Sequence, residues 1–152
     1  MANYTAQDVK ALRERSGAGM MDCKSALDEA DGNLDKAMEV LRLKGLKGVT
    51  KREGRTTSNG LIVARVNGGT GYLIELACET DFVAKAAKFI ELADKVADAI
   101  AAAGATTLEA ALAADLGGKS VQDAINDEAA IMGEKVELRK VGSLKDAAVD
   151  AY

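Results

Sequence analysis

The sequence predicts an α+β fold: a three-helix unit, then a core subdomain in which a three-stranded antiparallel sheet packs against helices. Three observations carry this. Apolar residues recur at helical spacing in three short segments before residue 45. Two β-branched runs, at 61–66 and 72–77, flank Asn67-Gly68-Gly69-Thr70-Gly71, which is the pattern of a hairpin. A third alternating stretch, at 135–141, puts Val136 and Leu138 on one side and needs that hairpin as a neighbour.

The first helix opens on Thr5 and Asp8, a T-x-x-D variant of the capping box. Val9 and Leu12 mark its apolar stripe, and Gly17 stops it. Gly17-Ala18-Gly19 links to a second helix from about Met20, with Met21, Ala26 and Leu27 as candidate core residues. Asp31-Gly32-Asn33 is a turn, and Asn33 can cap a third helix carrying Leu34, Ala37, Val40 and Leu41. Gly45 and Gly48 are expected to end it. A unit of this size with short links resembles a ubiquitin-associated-type three-helix domain. Lys44, Lys47, Lys51, Arg52 and Arg55, interleaved with glycines, predict a basic, flexible linker over 44–60. Such a run either touches phosphate or an acidic partner, or is simply solvated.

After the hairpin, Thr80 has N-cap chemistry for one long helix to about Ala103. Val83, Ala86, Ile90, Ala93, Ala97 and Ile100 line one face of it, with Phe89 and Val96 beside them. Thr106 and Glu109 form a capping box for a helix through Leu112, which Gly117-Gly118 breaks. Ser120 and Asp123 begin another, with Val121, Ala124, Ile125 and Ile131 apolar and Gly133 as the stop. Residues 147–152 hint at a further strand. The expected organisation is 1–54 for the three-helix unit and basic linker, and 55–142 for the core subdomain. Residues 143–152 then begin a second core subdomain that is truncated.

Composition narrows the function classes. Hydrophobic residues at 48% can build a core, and aromatics at 3% make it aliphatic and Ala-rich. A net charge of −4 argues against a general nucleic-acid binder, which needs a basic field. No histidine is present, which removes the usual general acid/base and the commonest metal ligand. Cys23 and Cys78 lie far apart and form no C-x-x-C, so each reads as a small buried hydrophobe and no zinc site is expected. No apolar run is long enough to span a bilayer and no signal peptide opens the chain, so a cytoplasmic location is the default expectation. No cofactor or metal is implied.

Glu79-Thr80-Asp81-Phe82-Val83-Ala84-Lys85 is the most informative stretch. Asp81 sits where the positive end of the helix dipole favours a carboxylate. Phe82 is one of two phenylalanines and stands at a helix start. An acid beside a large aromatic at a rigid tip can act as a probe pushed into a partner. Alternatively, Asp81 only complements the dipole and Phe82 packs on Phe89.

Two motifs together resemble the bacterial translation elongation factor Ts family. Leu12-Arg13-Glu14-Arg15-Ser16-Gly17-Ala18-Gly19-Met20-Met21-Asp22-Cys23-Lys24 is similar to its N-terminal motif, with Ser16 where Thr is more usual. Cys78-Glu79-Thr80-Asp81-Phe82-Val83-Ala84-Lys85 is similar to its second motif. The resemblance covers all 152 residues, and the family continues past the position of Tyr152 with a second core subdomain and a helical hairpin.

The resemblance implies a guanine-nucleotide exchange factor, not an enzyme, that binds the GDP-bound GTPase elongation factor Tu and speeds GDP release. It implies that Thr80, Asp81, Phe82 and Val83 dislodge the partner's Mg²⁺, with Phe82 as wedge and Thr80 as cap. It also implies that Arg13, Met20, Met21 and Lys24, and further along Ile131, Met132 and Gly133, form contact surfaces. A homodimer is expected only if a C-terminal half is present. Two other classes remain open at this point: a passive ubiquitin-associated-type adaptor using residues 1–45, and an enzyme with Cys78 or Cys23 as nucleophile. The second would lack a histidine to activate the thiolate.

Overall fold

The computed structural model describes residues 2–152. Three helices come first: α1 (Ala6–Ser16), α2 (Met20–Glu29) and α3 (Leu34–Lys51). The hairpin strands β1 (Asn59–Asn67) and β2 (Thr70–Cys78) follow, then α4 (Asp81–Ala84), α5 (Ala87–Ala103) and α6 (Leu108–Ala113). Two short strands, β3 (Asp115–Leu116) and β4 (Lys119–Ser120), lead into α7 (Val121–Met132) and β5 (Val136–Lys145).

Both bonds of the Thr5–Asp8 capping box form, and Asn33 accepts from the Lys36 amide at 2.9 Å. Each cap satisfies amides that a first helical turn leaves without partners. Val9, Leu12, Cys23, Ala26, Leu27, Ala30 and Ala37 form a small core of their own. Met21, expected in that core, is 75% exposed. It lies two positions from the fully buried Cys23, about 200° away around the helix, so one faces water when the other faces inward.

α3 runs through Gly45 and Gly48, where a stop is expected, and ends at Lys51. Two interior glycines cost a helix roughly 2 kcal/mol against alanine, and packing offsets this. α3 lies against α7, and a Cβ at Gly45 would stand 2.7 Å from the Cβ of Ala130. Gly45 therefore permits a close helix approach. A Cβ at Gly48 would meet only the end of the flexible Arg52 side chain, at 2.9 Å. Gly45→Ala should lower the melting temperature by wedging α3 from α7. Gly48→Ala should raise stability by about 0.5–1 kcal/mol. Thermal unfolding of the two variants side by side checks the opposite signs.

The linker is consequently shorter than expected, and its end is anchored. Thr57 is buried, its hydroxyl donates to Glu137, and the Arg139 guanidinium donates to its carbonyl.

The sheet has the order β1-β2-β5, and both pairings are antiparallel. Tyr72, Ile74, Leu76 and Cys78 of the central strand are buried against the helical layer. Glu75 pairs with Lys140 while Leu76 pairs with Leu138, so Arg139 is an extra, bulged residue. β5 extends to Lys145, past the expected end at Val141. Residues 147–152 form no strand.

α6 is capped by Thr107, whose hydroxyl accepts from the Ala110 amide at 3.2 Å, one residue later than the expected Thr106. The Gly117-Gly118 break is a two-residue hairpin joining β3 to β4. Its glycines sit at φ 65 and φ 93, the left-handed pair that a tight hairpin turn of this kind requires.

Candidate functional site

β2 ends at Cys78, and the chain then turns outward through Glu79 and Thr80. The expected single helix from Thr80 to Ala103 is two helices. α4 stops at Ala84, Ala86 is extended at φ −70 and ψ 139, and α5 starts at Ala87. Helical geometry explains the break. α5 buries Phe89, Leu92, Ala93, Val96, Ala97 and Ile100, while α4 buries Ala84. In one continuous helix Ala84 would lie about 140° from Phe89 and face away from the core. Breaking the helix lets both turn inward. Ala93, Ala97 and Ile100 of the expected face are buried, with Phe89 and Val96 beside them, whereas Ile90 is 41% exposed.

The break leaves α4 as a single turn at the end of the sheet. Thr80 is its N-cap, and its hydroxyl accepts from the Val83 amide at 3.4 Å. Asp81 is exposed and pairs with Lys85 at 3.1 Å. The hydrogen bond from the Lys85 ammonium, with its charge, holds the Asp81 carboxyl below the usual carboxylate range. Phe82 is 85% exposed, whereas Phe89 is fully buried, so the packing of one phenylalanine on the other does not occur. Val83 is partly buried and packs against the main core.

Two residues that sequence reasoning missed complete this tip. The Glu134 carboxylate accepts from the Thr80 amide at 3.0 Å and from the Thr80 hydroxyl at 2.7 Å. Reciprocally, Glu79 accepts from the Lys135 amide at 2.8 Å. That amide is the main reason the Glu79 carboxyl lies below its usual range, with Arg55 adding to it. Glu79 belongs to the quoted motif. Glu134 is an ordinary surface residue type after a glycine stop, and no spacing marks it.

Gly133 closes α7 at φ 73, Met132 packs on the main core, and Ile131 is 41% exposed. The α1–α2 turn reaches this segment, since a Cβ at Gly17 would stand 3.1 Å from Cγ2 of Ile131. Arg13, Met20, Met21 and Lys24 are exposed on the three-helix unit, with Met20 at 54%. Among the described residues, no hydrogen bond or ion pair joins these four to residues 80–83.

Cys23 and Cys78 are both buried. The Cys78 thiol lies 3.2 Å from the Thr80 carbonyl, and burial pushes its pKa up to about 11. A nucleophilic cysteine needs the opposite shift. Among the described residues, no cluster of ligating side chains could hold a metal ion, and no helix is long and apolar enough to cross a membrane.

The chain is similar to known proteins. The family model described as elongation factor TS matches residues 79–152. The chain is 58% identical over 152 residues to elongation factor Ts of Paenarthrobacter aurescens (strain TC1), covering 100% of this chain and 55% of the relative. It is 58% identical over 153 residues to that of Leifsonia xyli subsp. xyli (strain CTCB07), again covering 100% and 55%. Against that of Kineococcus radiotolerans it is 52% identical over 152 residues, with the same shares covered. The chain spans about half the length of these curated relatives. Proteins of one name match the chain over its whole length, and their family model matches it from Glu79 onward, so the chain is similar to elongation factor Ts throughout.

Proposed function

We propose that the chain is a translation elongation factor that works in the cytoplasm as a guanine-nucleotide exchange factor. It binds GDP-bound elongation factor Tu, disturbs the Mg²⁺ site of that GTPase and promotes GDP release so that GTP can rebind. The observation that carries this reading is the exposure of Phe82 on a capped turn whose base is fixed in the core.

A GTPase holds its nucleotide through loop amides, a lysine and a Mg²⁺ that bridges phosphate oxygens. A partner that binds better to a form with a disturbed metal site weakens the nucleotide, and linkage requires the nucleotide to weaken the partner by the same factor. Phe82 is the wedge, Asp81 acts by charge and hydrogen bonding on the network around the metal, Thr80 caps the turn and Val83 secures its base. Arg13, Met20, Met21 and Lys24, together with Ile131, Met132 and Gly133, are the further contacts in this reading. No bond is made or broken, so the effect on rate comes from binding alone.

Release of a fluorescent GDP from elongation factor Tu at fixed Mg²⁺ tests the proposal. The observed rate should rise with added chain and saturate. Binding without any acceleration would instead favour a passive adaptor.

A further inference from the structure

We infer that Glu134 is a positioning residue for the Asp81–Phe82 tip, holding it from outside its own helix and joining it to the end of α7. This rests on the exchange function proposed above.

α4 has four residues. One helical turn is too short to hold its own shape, because nucleation fixes several residues for a single bond. Its internal cap is weak as well, since the Val83 amide reaches the Thr80 hydroxyl only at 3.4 Å. Phe82 is 85% exposed and cannot orient itself by packing. The direction of the tip must come from its base.

That base is a clasp of two carboxylates. The β2–β5 ladder ends at the pair Cys78–Val136. Beyond it, side chains continue the exchange that the backbones made within it. Glu134 takes the Thr80 amide at 3.0 Å, and Glu79 takes the Lys135 amide at 2.8 Å. Glu134 also accepts a hydrogen bond from the Thr80 hydroxyl at 2.7 Å. This turns the hydroxyl lone pair toward the Val83 amide, so a single carboxylate sets both the strand exit and the cap. Hydrogen bonds to an ionised acceptor are the strong kind. Gly133 immediately precedes Glu134, so the same carboxylate ties the tip to the 131–133 segment.

The test uses the 152-residue chain as wild type, Glu134→Ala, Glu134→Gln, Phe82→Ala and the Glu134→Ala/Phe82→Ala double variant. In the free chain, Glu134→Ala should speed hydrogen exchange at the Thr80 and Val83 amides at least tenfold, while the Lys135 amide, held by Glu79, stays protected. Glu134→Gln keeps one acceptor oxygen and should fall between. With fluorescent-GDP-loaded elongation factor Tu, Glu134→Ala should lower the maximal release rate about tenfold. It should add little to Phe82→Ala, because a group that acts through the ring has nothing left to position. Unchanged exchange at Thr80 and Val83, or losses that multiply in the double variant, would overturn the inference. If Glu134→Ala does not fold, Glu134→Gln carries the same two readouts. A wild-type chain that leaves GDP release unaltered removes the exchange function, and the amide readout alone then decides whether Glu134 holds the tip.

Discussion

Phe82→Ala should reduce the acceleration of GDP release roughly tenfold to a hundredfold while leaving the fold almost untouched. The two halves of this expectation have separate origins. Burying a phenylalanine side chain in a partner contributes roughly 1.5–3 kcal/mol, and each 1.4 kcal/mol is about a factor of ten in an equilibrium. The ring is 85% exposed in the free chain, so almost all of that area remains to be buried on binding. Aromatic side chains in such positions dominate the energetics of many interfaces. For the same reason, removing the ring takes little from the folded state. Substitutions at exposed positions usually stay within about 0.5 kcal/mol, or about 2 °C in melting temperature for a chain of this size. Release kinetics and a melting curve on one preparation check both halves. A melting temperature lowered by many degrees would mean that the ring packs within its own subunit, and the wedge reading would be wrong.

Much of this architecture was legible in the residues. The caps at Thr5 and Asn33 lie where the sequence places them because local side-chain hydrogen bonds depend on a few neighbouring positions. The hairpin and the third strand were legible because a period of two over a half-buried sheet leaves little freedom of register. What was not legible depends on contacts distant in sequence. The continuation of α3 through Gly45 is decided by Ala130. The break after Ala84 arises because Ala84 and Phe89 must both reach a core that neither position reveals alone. Met21 shows the same limit, since methionine is adaptable enough to suit either side of a helix. The tip divides likewise. Thr80, Asp81 and Phe82 announce themselves as a helix start, but Glu134 reaches Thr80 from 54 residues away, at the end of a strand pair that only the fold brings together.

Phe89→Ala should be the mirror image of the exposed ring's removal. Phe89 is the largest fully buried side chain, and it lies in the first turns of α5 within the cluster that includes Ile74, Leu76, Val96 and Ile125. Truncation loses the transfer free energy of the ring and leaves a cavity that close-packed neighbours fill only in part, at a cost of about 3–5 kcal/mol. Against a total of 5–15 kcal/mol typical of a domain, this should lower the melting temperature on the order of 10 °C. Phe89→Leu, which keeps most of the apolar volume, should cost about 1 kcal/mol. Urea unfolding of the two variants checks the ordering. Exchange activity adds a second distinction. Under conditions where Phe89→Leu is fully folded, its acceleration of GDP release should match wild type, because the Phe89 ring is fully buried within its own core. A folded Phe89→Leu chain with weakened exchange would instead show that the core under α5 sets the geometry of the tip, and that the clasp at Thr80 does not hold it alone.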